Sequence, residues 1–261
     1  MSIKFYKISK RRGHDSNESC PFYNGICFYK ILYGSEQLQI INLVSNLSLN
    51  VAVIVNLICI NYTIFNIMDK KVKKVIVTVT MNPAIDKTVE VEELVCRGLN
   101  RIRKVEYDAG GKGINVSKTI HELGGYSVAT GFLGGNNGQI IANVLKKKGI
   151  TCDFVWVSGE TRTNTKVVED NGSLTELNEP GALIRDEDID RLKKKLLEYA
   201  DEDTIFIFAG SIPKGVTQDI YREMICLVKE QGASVLLDAD GEVFCRSMEA
   251  MPDIIKPSRK A

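Results

Sequence analysis

The chain has 261 residues, with 34 Lys plus Arg against 33 Asp plus Glu and a formal net charge of +1. That length can bury one substantial core, or one core with a smaller unit, and so even a balance excludes a broad electrostatic footprint for nucleic acid or an acidic partner. The seven cysteines form no Cys-x-x-Cys pair and stand with only two histidines, so they read as small buried hydrophobes in a reducing cytosol and not as a zinc site.

Residues 1–67 differ from the rest. They open basic (Lys4, Lys7, Lys10, Arg11, Arg12) and become uncharged and apolar from Gln37 to Met68. A run of that length can cross a bilayer, but Asn42, Asn46, Asn50, Asn56, Asn61 and Asn66 punctuate it, and each amide is costly in hydrocarbon without a partner. Lys70, Lys71, Lys73 and Lys74 follow, so basic residues flank both sides and set no orientation. The apolar part also starts too late for a secretory signal. The expectation is a cytoplasmic protein in which residues 1–67 are an extension outside the fold. The alternative is membrane association through residues 38–67.

From Met68 onward the pattern is regular. Lys74–Thr80 is a β-branched run that predicts a buried strand. It leads into Met81-Asn-Pro-Ala-Ile-Asp86, where Pro83 ends the strand and Asp86 lies past its carboxyl end, the edge at which open α/β sheets bind ligands. An ordinary turn Asp is the competing reading. Val89–Leu94 and Asn100–Tyr107 alternate polar with apolar residues, the signature of strands with one wet face, and predict a separate small sheet. Asp108-Ala-Gly-Gly-Lys-Gly-Ile-Asn115 then opens a helical pattern, Val116–Leu123. Its glycines allow a sharp turn and close approach of a ligand, and a helix start offers unpaired N–H groups and a positive dipole end. Lys112 adds a positive charge, and Asn115 can donate to and accept from hydroxyls. Gly113 after Lys112 rules out a Walker A loop.

Tyr126–Leu133 reads as a strand, followed by Gly134-Gly-Asn-Asn-Gly138 and a helix from Gln139 to Lys147. The glycine spacing there does not fit a dinucleotide fingerprint. Asp153–Ser158 and Thr165–Glu169 predict two more strands. Between them Arg162 and Asn164, two apart on an extended segment, point the same way. A guanidinium beside an amide suits phosphate oxygens, and a solvated hairpin turn accounts for these residues about as well. Leu174–Gly181 is a polar loop, and Arg185-Asp-Glu-Asp188 caps a helix running to about Tyr199. Thr204–Ala209 predicts a core strand ending in Gly210-Ser-Ile-Pro-Lys-Gly215. A helix from Thr217 to Gln231 follows, then a strand Ser234–Leu237 ending in Asp238-Ala-Asp-Gly-Glu242, and a short strand at Asp253–Pro257. Strands alternating with helices predict an α/β fold with a parallel sheet covered on both faces. Its polar loops at Asn82, Gly131, Gly210 and Asp238 converge on the carboxyl edge, as for a phosphorylated small molecule.

Six segments, Met81–Asp86, Gly110–Asn115, Thr161–Asn164, Glu176–Gly181, Gly210–Pro213 and Asp238–Glu242, resemble the ribokinase (PfkB) family in order, in particular its 1-phosphofructokinase and tagatose-6-phosphate kinase branch. The resemblance spans Met68 to about Pro257. It implies a ribokinase-like α/β sandwich over residues 68–261, with a small β-sheet lid built from strands at about 89–107 and 153–170. It also implies ATP-dependent phosphorylation of a sugar phosphate, fructose 1-phosphate in preference to tagatose 6-phosphate, with ATP and Mg2+ as cofactors. A homodimer through the lid sheet is compatible with it. Carried over motif by motif, Asp86, Gly111 and Asn115 hold the sugar hydroxyls, and Lys112, Arg162 and Asn164 hold the phosphate already on the substrate. The family continues past Lys256-Pro257 with an Asn-x-x-Glu segment associated with magnesium, where this chain has Ser258 and Ala261. The family's catalytic Asp would fall beyond Ala261, so the expectation is a C-terminally truncated domain, inactive alone. A non-catalytic sugar-phosphate-binding fragment and a membrane-tethered protein are the other readings.

Overall fold

The computed structural model describes residues 75–256. The expected extension at 1–67, its apolar run, and Ser258 and Ala261 lie outside the described residues. Among the described residues no helix is long and apolar enough to cross a membrane.

The main sheet grows from β1 (Val75–Thr80), whose every residue after Val75 is buried. It pairs in parallel with β4 (Ser127–Leu133) on one side and β9 (Thr204–Ala209) on the other. The sheet continues through β10 (Ser234–Asp238) to β11 (Ile254–Ile255), and in the other direction to β5 (Thr151–Cys152), with every pairing parallel. Strands buried on both faces read as continuous apolar runs, which is why these segments were legible in sequence.

Side-chain alternation splits the core into two layers. Val77, Val79, Phe206, Phe208, Val235 and Leu237 pack on one face of the sheet against α3 (Asp186–Tyr199), α4 (Ile220–Lys229) and α5 (Gly241–Ser247). Ala129 and Leu133 face the other way, onto Ile114 of α1 (Lys112–Glu122) and Ile141 and Leu145 of α2 (Gly135–Lys147). Beneath α1 the contact is polar. The hydroxyls of Thr78 and Ser117 are 2.7 Å apart, and Ser127 Oγ donates to Ser117 Oγ at 3.0 Å. Buried hydroxyls joined in this way avoid the cost of an unmade hydrogen bond.

A second, four-stranded sheet has the order β3-β2-β7-β8, with β2 (Ala84–Val91) and β7 (Arg162–Glu169) parallel in its centre. The outer strands, β3 (Lys104–Gly110) and β8 (Leu174–Asn178), are antiparallel to them. The layered α/β architecture with a small sheet is as expected, but the small sheet's membership is not. Asp153–Ser158 was expected in the lid, yet β6 (Val155–Trp156) pairs in parallel with β4 and extends the main sheet. Leu174–Asn178, expected as loop, is the fourth lid strand. Its residues are exposed or half-buried, so it carries no apolar stripe, and its pairing with β7 supplies what its side chains do not.

Candidate functional site

β1 ends at Thr80, which sits among three glycines. A Cβ at Gly131, whose φ is +129°, would fall 1.9 Å from the Thr80 carbonyl oxygen. One at Gly113 would fall 2.4 Å from Thr80 Oγ1, and one at Gly111 2.7 Å from Thr80 Cγ2. No side chain fits at those distances, so the glycines of the Gly-Gly-Lys-Gly turn are required to bring the start of α1 onto the end of β1. Gly111 caps α1 with φ at +122°.

The turn after β1 feeds straight into the lid sheet, and Asp86 therefore lies inside β2 rather than on a loop. Across the parallel pair Ala84 faces Arg162 and Asp86 faces Asn164. One face of the sheet thus carries Asp86, Arg162 and Asn164 together, as their spacing requires. Asn164 Nδ2 donates to Asp86 Oδ1 at 3.5 Å, and Lys166 Nζ donates to Asp86 Oδ2 at 3.3 Å. From β3, a Cβ at Gly110 would fall 2.6 Å from the carboxyl carbon of Asp86. The carboxylate lies in the space that glycine leaves open.

Arg162 is tied to the backbone of two loops. Its Nη1 donates to the Glu179 carbonyl and its Nη2 to the Asn82 carbonyl, both at 3.0 Å. Asn82 Nδ2 in turn donates to the Pro180 carbonyl at 3.3 Å and the Ile212 carbonyl at 3.5 Å, joining the loops after β1, β8 and β9. Burial pulls the Arg162 guanidinium below its ordinary pKa, and the negative charges of Asp86 and Glu179 oppose that shift. An open cleft of about 410 Å³ lies beside it, lined by Asn82, Arg162, Pro180 and the Ser211–Val216 loop with Gln218. Arg162 Nε and Asn164 Oδ1 are buried without a hydrogen-bond partner. Orphaned polar atoms are costly; Arg162 Nε calls for an acceptor such as a phosphate oxygen, and Asn164 Oδ1 for a donor such as a hydroxyl.

Lys112, expected to join Arg162 and Asn164 at the phosphate, contacts the loop after β10. Its Nζ donates to Asp238 Oδ1 at 3.3 Å and stands 4.0 Å from Asp240. Lys256 Nζ donates to the other Asp238 oxygen at 3.0 Å, so that buried carboxylate is compensated from both sides. Asn115 is exposed in the first turn of α1, its amide bonded to the Gly111 carbonyl at 2.9 Å. The structure thus brings Asp86, Arg162 and Asn164 onto one sheet face, and Lys112 contacts Asp238. Lys166, which contacts Asp86, was not singled out from sequence, and Gly110 and Asn82 were named there only as parts of their turn and loop. The alternation of Arg162, Asn164 and Lys166 was the available signal for Lys166. Among the described residues no group of three His, Cys, Asp or Glu side chains could hold a metal ion.

A model of the pfkB family carbohydrate kinases matches residues 79–260. The chain belongs to that family. It is 37% identical over 183 residues to the 1-phosphofructokinase of Bacillus subtilis, covering 70% of this chain and 59% of that protein. With the tagatose-6-phosphate kinase of Staphylococcus epidermidis it shares 34% over 187 residues, again 70% of this chain and 59% of the relative. Among solved structures, a putative phosphofructokinase from Staphylococcus aureus matches with a TM-score of 0.62 at 35% identity, over 70% of this chain and 58% of that one. The tetrameric inhibited form of phosphofructokinase-2 from Escherichia coli matches with a TM-score of 0.66 at 26% identity, over 70% and 61%. This pfkB chain therefore spans less than two thirds of each of these relatives.

Proposed function

We propose that the chain carries the sugar-phosphate site of an ATP-dependent kinase, acting on fructose 1-phosphate in preference to tagatose 6-phosphate, in the cytoplasm. The observation that carries this reading is the shared face of Asp86, Arg162 and Asn164, with Arg162 lining an open cleft and its Nε buried and unpartnered. A guanidinium and an amide suit a phosphate dianion, and a carboxylate suits hydroxyl donors. In this reading Arg162 and Asn164 hold the phosphate already present, while Asp86, Gly111 and Asn115 orient the sugar. Lys112, which also contacts Asp238, contributes to the same phosphate in this reading. The lid sheet excludes water from the reacting hydroxyl.

ATP, with a divalent metal, supplies the second phosphoryl group when bound. The resemblance puts the general base and anion-hole loop outside these residues, and loss of that positioning and electrostatic stabilisation removes most of the rate of phosphoryl transfer. A polypeptide of these 261 residues is therefore expected to bind the sugar phosphate without turning it over. Amide shifts of residues 82–86 and 162–164 on titration with fructose 1-phosphate, together with a coupled ADP assay, test both halves. Shifts confined to other residues would count against the site, and turnover would count against the second half.

The opposite face of the lid sheet supports a homodimer. Val105, Tyr107 and Leu177 are exposed there, beside the buried Val89 and Val167. An apolar surface of this kind is a common docking face. Leu177→Glu, read by light scattering, should give monomers if the reading holds.

A further inference from the structure

We infer that Lys166 is a positioning residue for the sugar: it holds the Asp86 carboxylate in the orientation that meets the substrate's hydroxyls, and is not itself a phosphate ligand. The inference rests on the sugar-phosphate reading above and assigns a residue that the resemblance left without a role.

Two hydrogen bonds and the space left by a glycine fix Asp86, one bond to each carboxylate oxygen. Oδ1 accepts from Asn164 at 3.5 Å and Oδ2 from Lys166 at 3.3 Å, while Gly110 leaves the space its carboxyl group fills. Asn164 has a second task in the site, because its own Oδ1 is buried and unpartnered. Lys166 therefore provides the dedicated hold on Asp86. The geometry favours it, since Thr88 faces Lys166 across the β2–β7 pair and leaves the lysine free to reach back one pleat to Asp86. Its side chain is 35% exposed against 21% for Asp86. An ion pair so placed keeps a carboxylate in one rotamer at modest net energy. Its charge also offsets the repulsion between Asp86 and an incoming phosphate dianion.

The charges facing Asp86 from the packed strands are Lys166 and Arg162 of β7 and Asp108 of β3, its direct cross-strand neighbour. Lys118 Nζ, from α1, holds Asp108 Oδ2 at 2.8 Å. Each carboxylate of the pair thus has a lysine partner, and removing Lys166 takes away the lysine that hydrogen-bonds Asp86 among the described residues.

The test is a double-mutant cycle on the full chain, titrated with fructose 1-phosphate. Lys166→Met should weaken binding about tenfold, and Lys166→Arg should recover most of it. In an Asp86→Asn background, Lys166→Met should cost less than about twofold further, because it acts through the carboxylate. The melting temperature of each variant reports folding separately. An undiminished effect of Lys166→Met in the Asp86→Asn background would overturn the inference in favour of direct ligand contact, and unchanged binding in the Lys166→Met single variant would overturn it outright. If Arg162→Ala also leaves binding unchanged, the sugar-phosphate reading itself fails and the inference with it. Weakening by Arg162→Ala with no effect of Lys166→Met leaves that reading standing and sinks only the role of Lys166.

Discussion

Asp86 and Asn164 are direct partners across the parallel β2–β7 pair, and Asn164 donates its amide to the Asp86 carboxylate at 3.5 Å. That pairing joins the residue suited to hydroxyls with the strand that carries the guanidinium. In the proposed reading it puts the sugar end and the phosphate end of the site on one sheet.

The first consequence concerns Gly110. A methyl group there would stand 2.6 Å from the Asp86 carboxyl carbon, so Gly110→Ala must displace the carboxylate. Fructose 1-phosphate affinity should fall at least about tenfold. The fold should survive at a cost of about 1–3 kcal/mol, the usual penalty of overpacking. Calorimetric titration beside a thermal melt separates the two effects.

Gly131 should behave in the opposite way. A Cβ there would fall 1.9 Å from the Thr80 carbonyl, at the centre of the main sheet, with φ at +129°. Gly131→Ala should therefore destabilise the domain by more than about 3 kcal/mol, because backbone and not a flexible side chain must move. Soluble yield and the urea midpoint are the readouts.

The Asp238 carboxylate gives a third test. It is 8% exposed and contacted by Lys112 and Lys256. Removing one cation from a buried pair leaves a charge less well compensated. Lys256→Met should cost about 1–2 kcal/mol, since Lys112 remains. Adding Lys112→Met should cost more than the sum of the two single changes, because both act on one carboxylate. Urea denaturation of the three variants measures this directly.

Tyr199 predicts an alkaline transition. Its hydroxyl donates to Asp153 Oδ2 at 2.9 Å, and burial, aided by that bond and the Asp153 charge, pushes its pKa up to about 12. An unfolded tyrosine titrates near 10. Between those values the unfolded chain has released the proton and the folded chain has not, so this contribution is complete below about pH 10 and falls away as pH rises towards 12. Tyr199→Phe should flatten the stability profile in that window.

The core strands were legible because burial on both faces writes an unbroken β-branched or aromatic run, as in Val75–Thr80 and Thr204–Ala209. The lid was harder. β8 is wet and polar, so its strand state comes from the β7 edge rather than from its own residues. Val155–Trp156 looks like a lid strand by composition, but register with β4 decides its sheet. Within the site, the shared face of Arg162 and Asn164 followed from a period of two; the same period extends to Lys166, which the sequence reading did not single out. Pairing partners do not follow from local pattern. Nothing in the sequence aligns Asp86 with Asn164, places Gly110 beneath it, or turns Lys112 towards Asp238.

The most direct test of the central claim is calorimetric titration of the 261-residue chain with fructose 1-phosphate, repeated for Arg162→Ala and Asp86→Ala. One saturable site is predicted, weakened about tenfold or more by each change, as expected for loss of a charge-assisted contact. Undetectable binding by the parent chain, or equal binding by all three, would contradict it.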